Sequence, residues 1–490
     1  MSGLATRPGD LAGLATPDRA MRTLLALGGL GAALIVGVAV AVSPKIGVML
    51  AAAAVFAPIA ILQLPLAIAI WTSTLFVQLI PGVSLALSAA GLGIAFIWFG
   101  SVAARREALG AAFQELRGPA IATALLFVWL GLSLAWTRGP DLAQTDLIAY
   151  AQGIVLFFIV ATTIDRPSRF KLIAGAFVLG ATVAVLLGLV TDDLTASAGD
   201  ALDRAAVEGR LTSAGSDPND LAAGLVPAAI IALGLLPSYR GPKRLALAIA
   251  VPILLFGLVA TQSRGGMVAA VVGLAAALVV VRGHRLKVAA LTLGITAVVG
   301  FGLATTPGAM DRLTSADNGG NGRTELWTIA LHMWEDNPFL GVGLAGFREE
   351  SPEYVRDLGS LQFVKLIVER PHIVHNTYLQ LLAETGVIGA GLFLTVAIVC
   401  AAAAWKAAAI FERTGRRELA ILAQAVVVAS IARMAAMAFL SVGNDYRTWL
   451  IFAFGPGLLH IARRRPTPSR TPAPRRAESY PARQWRRTSR

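Results

Sequence analysis

The sequence predicts an all-α polytopic membrane protein, with about 12–14 transmembrane helices and a large extracytoplasmic loop. Apolar runs of roughly 17 to 25 residues recur along most of its length, and each can cross a bilayer as a helix. The composition agrees: 56% of the 490 residues are hydrophobic, 14% are charged, and the mean hydropathy is +0.69. Soluble domains carry about 25% charged residues. The strands of a membrane barrel would be shorter and would alternate in polarity.

In chain order the spans read as 23–42, 46–62, 65–80, 83–103, 119–136, 146–164, 170–190, 219–236, 245–262, 266–281, 286–305, 376–405, 418–440 and 446–462. The first follows Arg19 and Arg22 and is succeeded at once by another apolar run. It therefore reads as a retained span and not as a cleaved signal. Only a break at Pro65 separates the second from the third.

Alternate loops carry the positive charge. They hold Arg105, Arg106 and Arg117; Arg166, Arg169 and Lys171; Arg240, Lys243 and Arg244; Arg282, Arg285 and Lys287; and Lys406, Arg413, Arg416 and Arg417. The bias of basic residues toward cytoplasmic loops places these loops, and both termini, in the cytoplasm. The chain then divides into five parts. These are a cytoplasmic segment (1–22), an N-terminal transmembrane bundle (23–305), a large extracytoplasmic loop (306–375), C-terminal transmembrane helices (376–462) and a basic tail (463–490).

The net charge of +13 is on this reading a topology signal, and no nucleic-acid partner is expected. The Arg/Pro/Ser-rich tail has the composition of a disordered segment that meets anionic membrane lipids. Cys400 is the single cysteine and lies within a span, which excludes a disulfide framework within the chain.

Three extracytoplasmic segments remain: 191–218, the turn TQSRGGM at 261–267, and 306–375. The last is long for a connection, yet it holds Trp327, Trp334, Phe339, Phe347, Tyr354 and Phe363, the composition of an ordered loop. Within it, ELWTIALHMWE places Leu326, Ile329, Ala330 and Met333 on one helical stripe. Asn337 and Pro338 stop that helix, which is expected to lie on the outer membrane surface.

The titratable residues cluster at this outer side. His375 ends the long loop and begins a helix. An imidazole has an ordinary pKa near 6.5, so it can accept a proton at neutral pH. Two readings fit it: a general base, or a helix-start histidine that hydrogen-bonds lipid headgroups. Asn376 caps the helix or orients a substrate. His372 lies close by, but no third His or Cys ligand does, so no metal is expected.

Arg264, in SRGG at headgroup depth, suits an anionic ligand, whose phosphate oxygens a guanidinium grips in bidentate fashion; it also suits a snorkelling interfacial arginine. Arg323 can serve the same anion. Arg433 lies inside a span and needs a partner, either a bound anion or Glu384. Arg210, ahead of SDPND, and Asn219, within it, are weaker candidates. Glu384 is nine helical residues beyond His375, on the opposite face and roughly 13 Å away. Gly386 and Ala390 have the spacing of a close helix–helix contact. GVGLAGF at 341–347 is glycine-rich but follows no strand, so it is not a nucleotide loop.

In this order SRGG (263–266), GRTELWTIALHMWEDNPFLGVGLAGF (322–347) and HNTYLQLLAETGVIGAGLF (375–393) resemble the bacterial O-antigen ligase and polymerase superfamily. The resemblance covers about residues 210–460. It implies a membrane glycosyltransferase fold of the C type that works without metal or other cofactor. It implies a polyprenyl-diphosphate-linked glycan donor and a lipid or glycan acceptor at the outer face of the bacterial inner membrane. It makes His375 the general base, and Arg264 and Arg323 the cations that hold the diphosphate. A ligase and a polymerase share these motifs. A lipid-glycan flippase or secondary transporter is the reading from another class. The family usually has about twelve spans, and the fourteen read here depart from it in the N-terminal half.

Overall fold

A computed structural model describes residues 43–77, 83–104, 116–190, 210–212, 217–281, 285–305, 323–358 and 373–464. The span read at 23–42, the basic tail and His372 lie outside the described residues. Among those described, the regular structure is helical throughout. The elements are α1 (Pro44–Leu62), α2 (Leu64–Ser73), α3 (Val83–Ala104), α4 (Arg117–Leu132), α5 (Pro140–Thr163), α6 (Pro167–Val190), α7 (Pro218–Leu235), α8 (Gly241–Ala260), α9 (Arg264–Val280) and α10 (Arg285–Thr305). They continue with α11 (Arg323–Asp336), α12 (Gly346–Leu358), α13 (Thr377–Arg413), α14 (Arg417–Met437) and α15 (Tyr446–Arg463). Eight helices among the described residues are long and apolar enough to cross a membrane, and four shorter apolar helices accompany them. The chain is an all-α polytopic membrane protein.

Local sequence sets the helix starts. α1, α2, α5, α7 and α8 have proline in their first turn, where the missing N–H breaks no helical bond. Asp217, Ser263, Asn376 and Asp445 cap α7, α9, α13 and α15 through their side chains. α15 is the most enclosed helix. Trp449, Leu450, Phe452, Ala453 and Phe454 are fully buried in it, and α5, α13 and α14 pack around it.

Helix α11 carries the stripe read from the sequence, but the stripe faces protein and not lipid. Leu326, Ile329, Ala330 and Met333 are buried with Val342, Phe347, Val355, Val374 and Ala383. A membrane-surface helix would have left that stripe to the bilayer. Here α13 and the segment after α11 cover it.

α13 is two helices joined at Gly386, whose φ of 65° and ψ of −172° are not helical. Residues 338–343 dock into this break. Val342 N donates to Ala383 O (2.9 Å), Gly343 N to Glu384 O (2.8 Å), and Val387 N to Pro338 O (2.9 Å). Trp129 Nε1 of α4 donates to Thr385 O (3.0 Å). The carbonyls freed by the break are therefore satisfied by the loop and by α4. Gly386 meets the Phe339 backbone at close range, so its small size serves a helix–loop contact and not the helix–helix contact its spacing with Ala390 suggests. GVGLAGF is this clasp. Gly341, Gly343 and Ala345 all have positive φ, and a Cβ on Gly343 would lie 2.5 Å from Thr137 Cα.

Candidate functional site

The N-termini of α7, α9, α13 and α15 gather at one end of the bundle, where α11 also docks. His375 stands at this end, directly before the Asn376 cap of α13. Its φ is 53°, a left-handed conformation uncommon for a residue with a side chain. Both flanks hold it there. On one side Val374 is fully buried and its carbonyl accepts from Trp327 Nε1 at 3.1 Å. On the other, Asn376 Oδ1 accepts from Tyr378 N (3.0 Å) and Leu379 N (3.2 Å), capping α13. Thr377 N and Oγ1 both donate to Leu440 O (2.9 and 2.6 Å), and Val442 N donates to Thr377 Oγ1 at 3.0 Å. Of the two roles read for Asn376, capping is the one its side-chain oxygen performs.

Arg264 is the first residue of α9, behind the Ser263 cap, whose Oγ accepts from Gly266 N at 3.1 Å. A side chain at the next position would not fit: a Cβ on Gly265 would lie 2.7 Å from Phe439 Cβ. Phe439 in turn packs on Trp327, with ring centroids 6.4 Å apart. The start of α9, the α14–α15 connection and α11 thus meet through one aromatic pair.

Arg323 opens α11. Burial lowers its pKa, Asp217 raises it, Arg264 lowers it, and the net shift is downward. An arginine so placed stays protonated. Arg323 therefore keeps its charge within the electrostatic reach of a second guanidinium. Arg210 donates to Thr261 O through Nε (2.9 Å) and to Asn219 Oδ1 through Nη2 (3.2 Å). It laces the end of α8 to the start of α7, and it brings the arginine to the threshold of SRGG.

Arg433 is fully buried on α14. Its partners are Thr448 Oγ1 (3.0 Å from Nε, 2.8 Å from Nη2) and Asp445 Oδ2 (3.6 Å), and not Glu384. Asp445 also binds Arg447, whose Nε lies 3.0 Å from Oδ1. Arg447 Nη2 reaches both oxygens of Asp220 on α7, at 2.7 and 2.6 Å. Burial raises the pKa of Asp445, but Arg447 and Arg433, with hydrogen bonds from Arg447, outweigh it and hold the carboxyl below the usual carboxylate range.

Asp220, Asp445, Arg447 and Thr448 were not singled out from the sequence. One signal for them was present: Asp445 precedes Tyr446 at a span start, as an N-cap does. Their pairing across α7, α14 and α15 joins distant segments, and spacing does not encode it.

Glu384 is buried at the break in α13 and accepts from Gln380 Nε2 at 3.3 Å on each oxygen. It belongs to a separate polar group on the clasp side. Among the described residues no three His, Cys, Asp or Glu side chains are grouped to hold a metal ion.

The arrangement offers an imidazole on a fixed backbone, two neighbouring cations at helix N-termini, and further helix N-termini alongside. Helix N-termini favour negative charge. An anion held by Arg264 and Arg323 beside a base is the chemistry this end of the bundle can support. No curated protein matches the chain. Residues 222–394, which run from the first turn of α7 through the break in α13 and contain SRGG, α11 and His375, match the family model described as O-antigen ligase. The chain is thus an all-α polytopic membrane protein whose residues 222–394 are similar to the O-antigen ligase family.

Proposed function

We propose that the chain transfers a glycan from a polyprenyl-diphosphate carrier to an acceptor hydroxyl at the outer face of the cytoplasmic membrane, as an O-antigen ligase does. The observation that supports this most is the proximity of Arg323 to Arg264 at the end of the bundle that carries His375. Burial and Arg264 both disfavour the charge on Arg323, Asp217 offsets part of this, and a diphosphate would offset more.

In the proposed reaction the His375 imidazole takes the proton of the acceptor hydroxyl. The oxygen attacks the anomeric carbon as the bond to the diphosphate oxygen breaks, which inverts that carbon. The departing diphosphate keeps the electron pair, and Arg264 and Arg323 stabilise its charge without a proton transfer. No metal is required for these steps. Arg210, Asn376 and Arg433 act behind the two reacting groups, by holding α7, α13 and α14 in place.

The lipid-linked glycans that accumulate on deletion of the gene test this reading. Long chains trapped on the carrier are the expected result and mark a ligase. Single repeat units facing outward would assign a polymerase. Units held on the cytoplasmic leaflet, or no change, would refute transfer at the outer face.

A further inference from the structure

We infer that Thr377, Thr448 and Arg433 form a positioning chain that holds His375 in place for the transfer; the inference rests on the proposed role of His375 as base. A left-handed backbone at a histidine persists only where its surroundings over-determine it. The flank after His375 is fixed by Thr377, whose backbone N and Oγ1 meet Leu440 O and whose Oγ1 also accepts from Val442 N. His375 is therefore only as well placed as the connection 438–445.

That connection has no helical ladder of its own to hold Val442. Asp445 N donates to Val442 O at 3.3 Å, and Thr448 adds a second hold. Its Oγ1 donates to Val442 O at 3.0 Å. The same oxygen accepts from Arg433 Nε at 3.0 Å and Nη2 at 2.8 Å. A hydroxyl has one proton and two lone pairs. With the lone pairs facing the guanidinium, the proton is directed to Val442 O. Arg433 thus sets the direction in which Thr448 donates, and Asp445 and Arg447 tie Arg433 to Asp220 on α7. From the backbone two residues after His375, the path to α7 is continuous: Thr377, Val442, Thr448, Arg433, Asp445, Arg447, Asp220.

None of these residues need touch substrate. Their effect would be on the placement of the base, and a misplacement of about 1 Å costs on the order of 10²-fold in rate.

The test compares Thr448→Val with Thr448→Ser, and Thr377→Val with Thr377→Ser, in the full-length protein in native membranes. Two readouts are taken. The first is carbethoxylation of His375 by diethyl pyrocarbonate between about pH 5.5 and 8, resolved by peptide mass spectrometry, with His332 as reference within the same chain. The second is turnover and donor KM for the lipid-linked glycan extracted from a strain lacking the gene.

The valine variants are expected to change the pH profile of His375 labelling but not that of His332. They are expected to lower kcat by roughly 10- to 100-fold with donor KM within about twofold of wild type, and the serine variants are expected to recover most of the loss. Valine variants with wild-type labelling of His375 would overturn the inference, whatever their activity. The labelling is read without turnover, so it separates this inference from the reaction itself. An active His375→Ala would instead overturn the role of His375 as base. If Thr448→Val does not reach the membrane, the Thr377 pair decides by the same criteria.

Discussion

Replacing Gly386 by alanine is expected to destabilise the protein by about 4 kcal/mol, and the clasp at the break in α13 gives the size of the effect. Gly386 has φ 65° and ψ −172°, a region open essentially to glycine alone. Holding another residue there costs roughly 1–3 kcal/mol. The added methyl would also collide with the Phe339 carbonyl and lie 2.7 Å from Leu340 N. Relief requires residues 338–343 to move away from α13. That movement breaks at least one of the three backbone bonds between them, from Val342, Gly343 or Val387. A buried hydrogen-bonding group left without its partner costs about 1–3 kcal/mol. Strain of about 2 kcal/mol and one lost bond of about 2 kcal/mol give the total. For a chain of 490 residues, at about 2.1 cal/mol/K of unfolding entropy each, it corresponds to a fall of roughly 4 °C in Tm.

Cys400 provides the assay. It is the only cysteine in the chain, 2% exposed, on the second half of α13. A fluorogenic maleimide therefore reacts as the bundle opens, and a heating ramp on purified protein reads the midpoint. Gly391→Ala is the control. It lies on the same helix, and a Cβ there meets nothing within 4 Å. Its midpoint should stay at or slightly above wild type, because alanine is favoured over glycine in a helix by roughly 0.5–1 kcal/mol. A Gly386→Ala midpoint equal to that of Gly391→Ala would refute the clasp.

The other expectations follow from the site. His375→Ala should abolish glycan transfer at normal membrane abundance, since a positioned base contributes roughly 10²- to 10⁴-fold; full transfer by that variant would remove the base from His375. Arg264→Ala and Arg323→Ala should each weaken binding of a polyprenyl diphosphate in a direct binding assay, and the loss should be larger at low ionic strength. Unchanged affinity in both would remove the diphosphate role. Asp445→Asn should cost roughly 3–5 kcal/mol at neutral pH, because it leaves the buried Arg433 without its carboxylate. The folded-state pKa of Asp445 is depressed, so its contribution is fully present above the unfolded value near 3.9 and is lost as pH falls through the lower folded value. The difference between Asp445→Asn and wild type should accordingly be flat from about pH 5 to 8 and should shrink only in stronger acid. A difference that decays between about pH 5 and 7 would contradict the depressed value.

Eight of the spans were legible in the sequence because a bilayer imposes a length and a polarity that a single segment satisfies by itself. The stripe on α11 was legible for a similar reason, since Leu326, Ile329, Ala330 and Met333 obey a local period. What covers that stripe was not legible. Apolar residues at helical spacing look the same whether lipid or protein meets them, and the docking of α11 on α13 depends on contacts far apart in sequence. The break at Gly386 was hidden too. Small residues four apart suit close helix packing, and only the torsion at Gly386 shows that the helix turns out of register there.

The same distinction separates the proposed reacting groups from their proposed supports. His375, Arg264 and Arg323 could be named from local sequence, because each stands at a helix start beside a polar segment. Thr448 and Asp445 could not, because their importance lies in a partner on another helix. Arg433 shows the boundary between the two cases. A buried arginine announces from sequence that a negative or polar partner exists, but it does not say which one. The structure supplies Thr448 and Asp445, and that changes what the arginine can do. With Nε and Nη2 committed to Thr448, its first effect is on the hydroxyl that holds Val442, and through Val442 on Thr377. A charge first read as a candidate contact for substrate thereby becomes part of the frame that sets where the imidazole stands.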